Sequence, residues 1–225
     1  MNLSLATLGW LWLWATVAGL DLVSLLQTLI SRPLIAGPVA GWLIGDPETG
    51  LRVGAVLELF ALDVVPVGSS KYPDFGAAAI GAVAFAAGTD WTMTLGAAVG
   101  LGVALATIGG TTLPMVRRLT ARVIRANTDA LAAGDPAAVR RVHLTGLAHD
   151  LARSALVGGF ALAIALVGRR FSLWPGTQLG GLLTKVALAG AAWAATHGAA
   201  ASARTGIRWR WAATGLAAGT LMAWL

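Results

Sequence analysis

RPLIAGPVAGWLIGDPETGLRVGAVLELFALDVVPVGSSKYPDFGAAAIGAVAFAAG, residues Arg32 to Gly88, is strongly apolar but never for long. The charge-free runs Pro33 to Gly45 and Phe75 to Thr89 both fall short of the roughly 20 apolar residues that a helix needs to cross a bilayer. Between them, Leu57 to Ala79 sets Pro66, Gly68, Ser69, Ser70 and Pro73 among charged residues, which is too broken for one continuous helix. Short apolar segments interrupted by glycine and proline predict broken helices or re-entrant hairpins. In a membrane these are tolerated only where protein or a water-filled cavity satisfies the backbone. Ordinary helices lengthened by flanking charged residues are the plain alternative.

The rest of the chain agrees with a membrane setting. Of its 225 residues, 57% are hydrophobic and 12% are charged, and the mean hydropathy is +0.75. A soluble domain carries about 25% charged residues, so this chain lacks the charged skin that water demands. Further charge-free runs cover Leu3 to Leu20, Trp91 to Val116, Ser154 to Gly168, Phe171 to Thr184, Val186 to Ala203 and Trp211 to Leu225. The first has no basic flank of the kind that precedes a cleaved signal, and it reads as a retained membrane segment. The expected fold is therefore an all-α polytopic integral membrane protein with short, broken or re-entrant helices in its N-terminal half. Glycines four apart (Gly37, Gly41 and Gly45; Gly50 and Gly54; Gly96 and Gly100) predict helix faces that pack backbone to backbone. Trp91, Trp174, Trp209, Trp211 and Trp224 stand near run ends, where interfacial anchoring accounts for them.

The net charge is +6, but its placement argues against nucleic acid as the partner. Seven of the sixteen Lys and Arg residues lie between Arg117 and Arg153, in the one long polar stretch. Basic residues concentrated in this way mark a cytoplasmic connection. Arg117, Arg118, Arg122 and Arg125 alternate with Leu119, Val123 and Ile124, the pattern of a basic amphipathic helix at the membrane surface. Gly134 predicts its stop, and Asp135 with Pro136 predicts the N-cap and first residue of the next helix. The chain thus divides into an N-terminal membrane region (1–114) holding the re-entrant hairpins, a cytoplasmic connection (115–150) and C-terminal membrane helices (151–225).

Seven of the ten acidic residues precede residue 91. Glu58, Asp63 and Asp74 lie within or beside apolar sequence, where a carboxylate at membrane depth costs at least about 2.5 kcal/mol and so faces a partner, a cavity or a substrate. Carboxylates, hydroxyls and freed backbone groups together suit a neutral, hydroxyl-rich ligand. Two structural readings compete with this one: Lys71 could neutralise Asp74 or Asp63, and Glu58 could cap a neighbouring helix. Asp21 and Gln27, after the first run, are open to either reading. Arg32 with Pro33 and Asp46 with Pro47 read as helix-boundary punctuation. Cysteine is absent, which excludes thiolate chemistry and disulfides. His143 and His149 are six apart and complete no metal motif, His197 stands alone, and no phosphate loop or nucleophile motif occurs. No cofactor or metal is expected.

The stretch Arg32 to Gly88 resembles the membrane IIC subunit of the mannose/fructose/sorbose family of bacterial sugar phosphotransferase systems. Arg32 to Leu34, the glycine-spaced segment Gly37 to Gly45, Gly45 with Asp46, Thr49 with Gly50, Leu57 with Glu58 and Pro73 with Asp74 match the family pattern in order. Asn127 to Gly159 is similar in layout to the family's central connection. The resemblance implies a bacterial inner-membrane transport subunit rather than an enzyme. It would be paired with a IID membrane subunit and embedded in the lipid bilayer, as an oligomer of identical chains. Separate IIA and IIB phosphocarrier proteins would phosphorylate the incoming hexose or amino sugar. Glu58 and Asp74 match the family's acidic positions and are the expected substrate-binding residues; Asp63 and Gln27 are added for their position and chemistry. The chain is short in its C-terminal half, and Lys185 interrupts an apolar run. Such trimming suits an orphan regulatory subunit, and two further alternatives are a permease using the same carboxylates for protons or cations and a non-transporting membrane scaffold.

Overall fold

The computed structural model describes residues 3–25, 27–64, 71–171 and 176–201, with side chains as far as 197. The run from Trp211, Trp174, Trp209, Trp224, Pro66, Gly68, Ser69 and Ser70 lie outside the described residues. Eight helices and no strands occur among the described residues: α1 (Leu5–Val23), α2 (Pro33–Ile44), α3 (Pro47–Ala61), α4 (Phe75–Ala86), α5 (Trp91–Ala126), α6 (Thr128–Ala132), α7 (Pro136–Arg170) and α8 (Thr177–Ala201). Four of them, α1, α5, α7 and α8, are long and apolar enough to cross a membrane. At 1.5 Å per residue, α2 and α4 extend only about 18 Å and α3 about 22 Å, short of a hydrocarbon core of about 30 Å.

The α2–α3 hairpin packs as the glycine spacing predicts. A Cβ on Gly37 would fall 2.7 Å from the Gly50 carbonyl oxygen, and one on Gly54 would fall 2.5 Å from that of Pro33. Gly45 departs from the expected stripe. It takes φ 88° as the left-handed C-cap of α2, where the Asp46 N–H donates to the Gly41 carbonyl at 2.8 Å. Gly96 meets the backbone of α8 at Leu183, whereas a Cβ on Gly100 would have no neighbour within 4 Å among the described residues.

Helix α4 is the central pillar. All twelve of its residues are buried, and α1, α2, α3, α5 and α7 pack around it. Its composition, largely alanine and glycine, lets five neighbours approach one axis, and a helix apolar on every side belongs in such a position. Two turns are stapled at one end of the bundle. There the Asp46 carboxylate accepts from the N–H of Thr49 (3.1 Å) and from that of Gly88 (2.8 Å), joining the α2–α3 turn to the α4–α5 turn. Beside them the Arg52 guanidinium stacks 4.0 Å from the Trp91 ring.

At the opposite end stands the basic connection. Its first part is a continuation of α5, which runs unbroken from Trp91 to Ala126, and not a separate helix lying on the surface. Asp135 and Pro136 are the N-cap and first residue of α7, as expected. The expected divisions after residues 114 and 150 fall inside α5 and α7, so the connection is the tip of a long helical hairpin.

Candidate functional site

The inner ends of the short helices meet at one depth. The end of α1, the start of α2, the end of α3 and the start of α4 surround a point flanked by Leu22, Ser31, Arg32, Pro33, Ala61, Tyr72 and Phe75. Two ion pairs hold this junction. Arg32, the N-cap residue of α2, donates from Nε to Glu58 Oε1 at 2.7 Å and also from Nη2 to the same oxygen, while Glu58 Oε2 accepts from the Leu34 N–H at 3.2 Å. Glu58 on α3 therefore caps the start of α2 and neutralises the arginine there.

The second pair is completely enclosed. Arg153 of α7 donates from Nη2 to Asp74 Oδ2 at 2.6 Å, with both side chains 1% exposed. Its Nε donates to Thr112 Oγ1 at 2.8 Å, and its Nη1 is buried without a hydrogen-bond partner among the described residues. Asp74 in turn is the N-cap of α4, and its own N–H donates to the Ala106 carbonyl of α5 at 2.9 Å. One carboxylate thus joins α4, α5 and α7.

Beside the junction, toward the basic end, lies a cavity of about 730 Å³ whose wall includes Asp21, Gln27, Ser31, Arg32, Tyr72, Arg117 and Asp150. Asp21, almost fully buried, shapes one side of it. Its carboxylate accepts from the N–H and hydroxyl of Thr28 (2.6 and 3.1 Å) and from those of Ser31 (3.0 and 2.9 Å), tying Thr28 and Ser31 to the end of α1. In that loop Gln27 and Leu29 take φ values of 49° and 68°, a left-handed conformation that costs a side-chain-bearing residue of order 1 kcal/mol and is common at functional sites. On the opposite wall the Arg117 guanidinium lies 5.6 Å from the centroid of the Tyr72 ring.

The four residues expected to bind substrate are placed differently from one another. Gln27 is on the cavity wall. Glu58 lies behind that wall and reaches it through Arg32, and Asp74 is buried two residues beyond Tyr72. Asp63 is set apart: it is exposed and pairs with His197 of α8 at 3.2 Å. Lys71 is exposed and is not the partner of Asp74, whose cation comes from 79 positions downstream. Arg32, Tyr72, Arg117, Asp150 and Arg153 were not singled out from sequence as site residues. The signal available for Arg153 was its position immediately before the apolar run starting at Ser154.

Membrane-length helices enclosing half-length ones, with a solute-sized chamber where the short helices end, define a polytopic membrane protein of the broken-helix kind. The chain belongs to the family described as the sorbose-specific IIC component of phosphotransferase systems, whose sequence profile matches residues 6–185. Family membership and the four apolar helices place it in the bacterial inner membrane as a multi-pass protein. It is 31% identical over 134 residues to the mannose-specific EIIC component of Escherichia coli K12, covering 59% of this chain and 49% of that one. It is also 39% identical over 64 residues to the sorbose-specific EIIC component of Lacticaseibacillus casei, covering 28% and 23%. A third relative, the fructose permease IIC component of Bacillus subtilis, is 30% identical over 122 residues, covering 54% and 45%. The E. coli and B. subtilis alignments take in about half the length of those curated relatives. Among solved structures, a chain in the cryo-EM complex of the mannose transporter ManYZ with microcin E492 superposes with a TM-score of 0.64. That match has 23% identity and covers 99% of this chain and 95% of that one. The likeness shows a shared fold.

Proposed function

We propose that this chain is the sugar-translocating IIC subunit of a mannose/fructose/sorbose-type phosphotransferase system. The observation that carries the reading is the 730 Å³ cavity beside the meeting point of the broken helices. It lies within the roughly 300–1,000 Å³ of small-molecule sites, and its wall mixes carboxylate, amide, hydroxyl, guanidinium and aromatic groups. Such a wall offers donors and acceptors to sugar hydroxyls and, in Tyr72, an aromatic face. Gln27 contacts the hexose or amino sugar directly, and Glu58 acts by fixing Arg32 at the wall. Asp74 keeps α4 in register with the α5 and α7 walls, and Asp63 latches α3 to α8 rather than meeting the sugar.

In this reading residues 115–150 are the cytoplasmic connection, consistent with their arginines. The cavity then opens inward, where a phosphorylating partner works. The phosphoryl-transfer chemistry belongs to separate IIA and IIB proteins, and a IID subunit completes the path. The exposed apolar face of α8, with Leu182, Val186 and Trp193, suits lipid, the IID subunit or another copy of the chain.

The test is to reconstitute the chain with its IID subunit and measure binding of labelled hexoses and amino sugars. Gln27→Ala and Arg32→Ala should each weaken binding at least tenfold. Proton-coupled uptake without a phosphotransfer partner would replace this reading with the permease alternative. Absence of any ligand would favour a scaffold or orphan regulatory subunit.

A further inference from the structure

Helices α5 and α7 are longer than any bilayer requires. Their 36 and 35 residues extend about 54 and 52 Å, so with the far ends at the opposite interface each projects over 20 Å past a hydrocarbon core of about 30 Å. The projecting parts pack on each other, with Thr120 Oγ1 and His149 Nδ1 3.2 Å apart and Arg141 donating to Asn127 Oδ1 at 3.3 Å.

This arm carries an arginine stripe. Arg118, Arg122 and Arg125 follow one another at the four- and three-residue spacing that shares a helical face, and all three are exposed, as are Arg140 and Arg141. Among the described residues none of the five has a carboxylate within ion-pair distance. Like charges at that spacing weaken a helix by a few tenths of a kcal/mol per pair, so the stripe works against the stability of the arm that bears it.

Height decides what could neutralise it. Counted from Trp91 and Arg170, the arginines Arg122, Arg125 and Arg140 stand about 15 to 21 Å beyond the hydrocarbon edge. The headgroup layer occupies only the first 5 to 8 Å or so of that distance. The remainder is about a Debye length or more at physiological ionic strength, so anionic headgroups are poorly placed to pair with these groups. The arm from Met115 to Asp150 has no Phe, Tyr or Trp and so lacks the stacking platform typical of single-stranded nucleic-acid sites. Along the arm, Arg117, Thr120 and Ile124 of α5 and Asp150 of α7 line the cavity.

We infer that the exposed arginines of the α5–α7 arm form a docking surface for the acidic face of a soluble protein, which sits over the cavity mouth when bound. Identifying that protein as a IIB phosphocarrier rests on the function proposed above; the surface itself rests on charge, height and exposure. The arginines would act mainly through association rate and salt dependence, as charges at the edge of an interface do.

The probe is a IIB protein of the mannose/sorbose class, applied to the chain and its IID subunit in phosphatidylcholine nanodiscs at 50, 150 and 500 mM KCl. Wild type should bind with an affinity that falls steeply with salt. The triple variant R118E/R122E/R125E should bind at least tenfold more weakly at 50 mM and lose most of the salt dependence. These residues are off the cavity wall, so sugar binding by the variant should stay at the wild-type level and report its folding. Equal IIB affinity in variant and wild type overturns the inference. So does a variant whose only loss is affinity for phosphatidylglycerol vesicles or for transfer RNA. Wild type that binds sugar but no IIB removes the docking surface and leaves the transport reading standing, whereas wild type that binds no sugar removes the transport reading itself.

Discussion

Asp74→Ala is the substitution with the largest expected effect. It strands the Arg153 guanidinium, which is 1% exposed and already has one nitrogen without a partner among the described residues. What remains to it is Thr112 Oγ1 at 2.8 Å and the Gly109 carbonyl at 3.4 Å, and neither supplies a countercharge. Removing one member of a buried pair costs about 3–5 kcal/mol. Loss of the N-cap adds little here, because the bond from the Ala77 N–H is long at 3.4 Å, so its share should lie at the low end of the roughly 0.5–2 kcal/mol for caps. Removing the arginine as well should restore most of the stability, because the cost lies in the uncompensated charge: Asp74→Ala with Arg153→Met should be at least about 2 kcal/mol more stable than Asp74→Ala alone. The assay is thermal unfolding of the detergent-solubilised protein, read both as apparent Tm and as unfolding rate, since membrane proteins seldom unfold reversibly. At about 2–4 °C per kcal/mol for a chain of this size, the single variant should lose on the order of 10 °C. An Asp74→Ala protein within about 1 kcal/mol of wild type, or a double variant no better than the single, would refute the claim that this pair holds α4, α5 and α7 together.

Other outcomes follow from the same geometry. Gly50→Ala places a Cβ 2.6 Å from the Gly37 carbonyl oxygen; forcing the α2–α3 hairpin apart should cost about 1–3 kcal/mol, measurable as a lowered melting temperature. Gly45→Ala should cost about 1 kcal/mol through backbone strain alone, because φ there is 88° and the space around it is open. Glu58→Gln leaves Arg32 without its countercharge at a partly buried site. A stability loss of about 1–2 kcal/mol is expected, together with weaker sugar binding in a filter assay. For Asp46, burial opposes ionisation, but the N–H groups of Gly88 and Thr49 outweigh it and hold the carboxyl below its ordinary value. Its folded pKa is thus lower than its unfolded one, so its contribution is complete above about pH 4 and is lost as pH falls through the folded value. Asp46→Asn should flatten the acid limb of a stability-versus-pH curve while leaving the curve above pH 7 parallel to wild type.

Much of this architecture was open to a reading of the chain alone, wherever the cause is local. Composition pointed to a bilayer, and the lengths of the runs around Gly37 and Ile80 pointed to broken helices, with lengthening by flanking charged residues left open until the structure ended those helices short. Asp46 before Pro47 and Asp135 before Pro136 marked helix starts, and the glycine spacing marked the face on which α2 meets α3, because caps and small-residue stripes act within a turn or two. The partnerships at the site arise from longer range. Arg32 reads as punctuation until α3 returns Glu58 to it from 26 positions away, and Asp74 has only Lys71 nearby in sequence until α7 brings Arg153. Asp63 meets His197 only because α8 folds back along α3. The cavity wall likewise gathers residues from 21 to 150, and its existence depends on how far the ends of the short helices stop from one another. A carboxylate in an apolar segment must find a counterpart, and the sequence states that need; which cation meets it depends on the packing of whole helices, whose relative placement no local window contains.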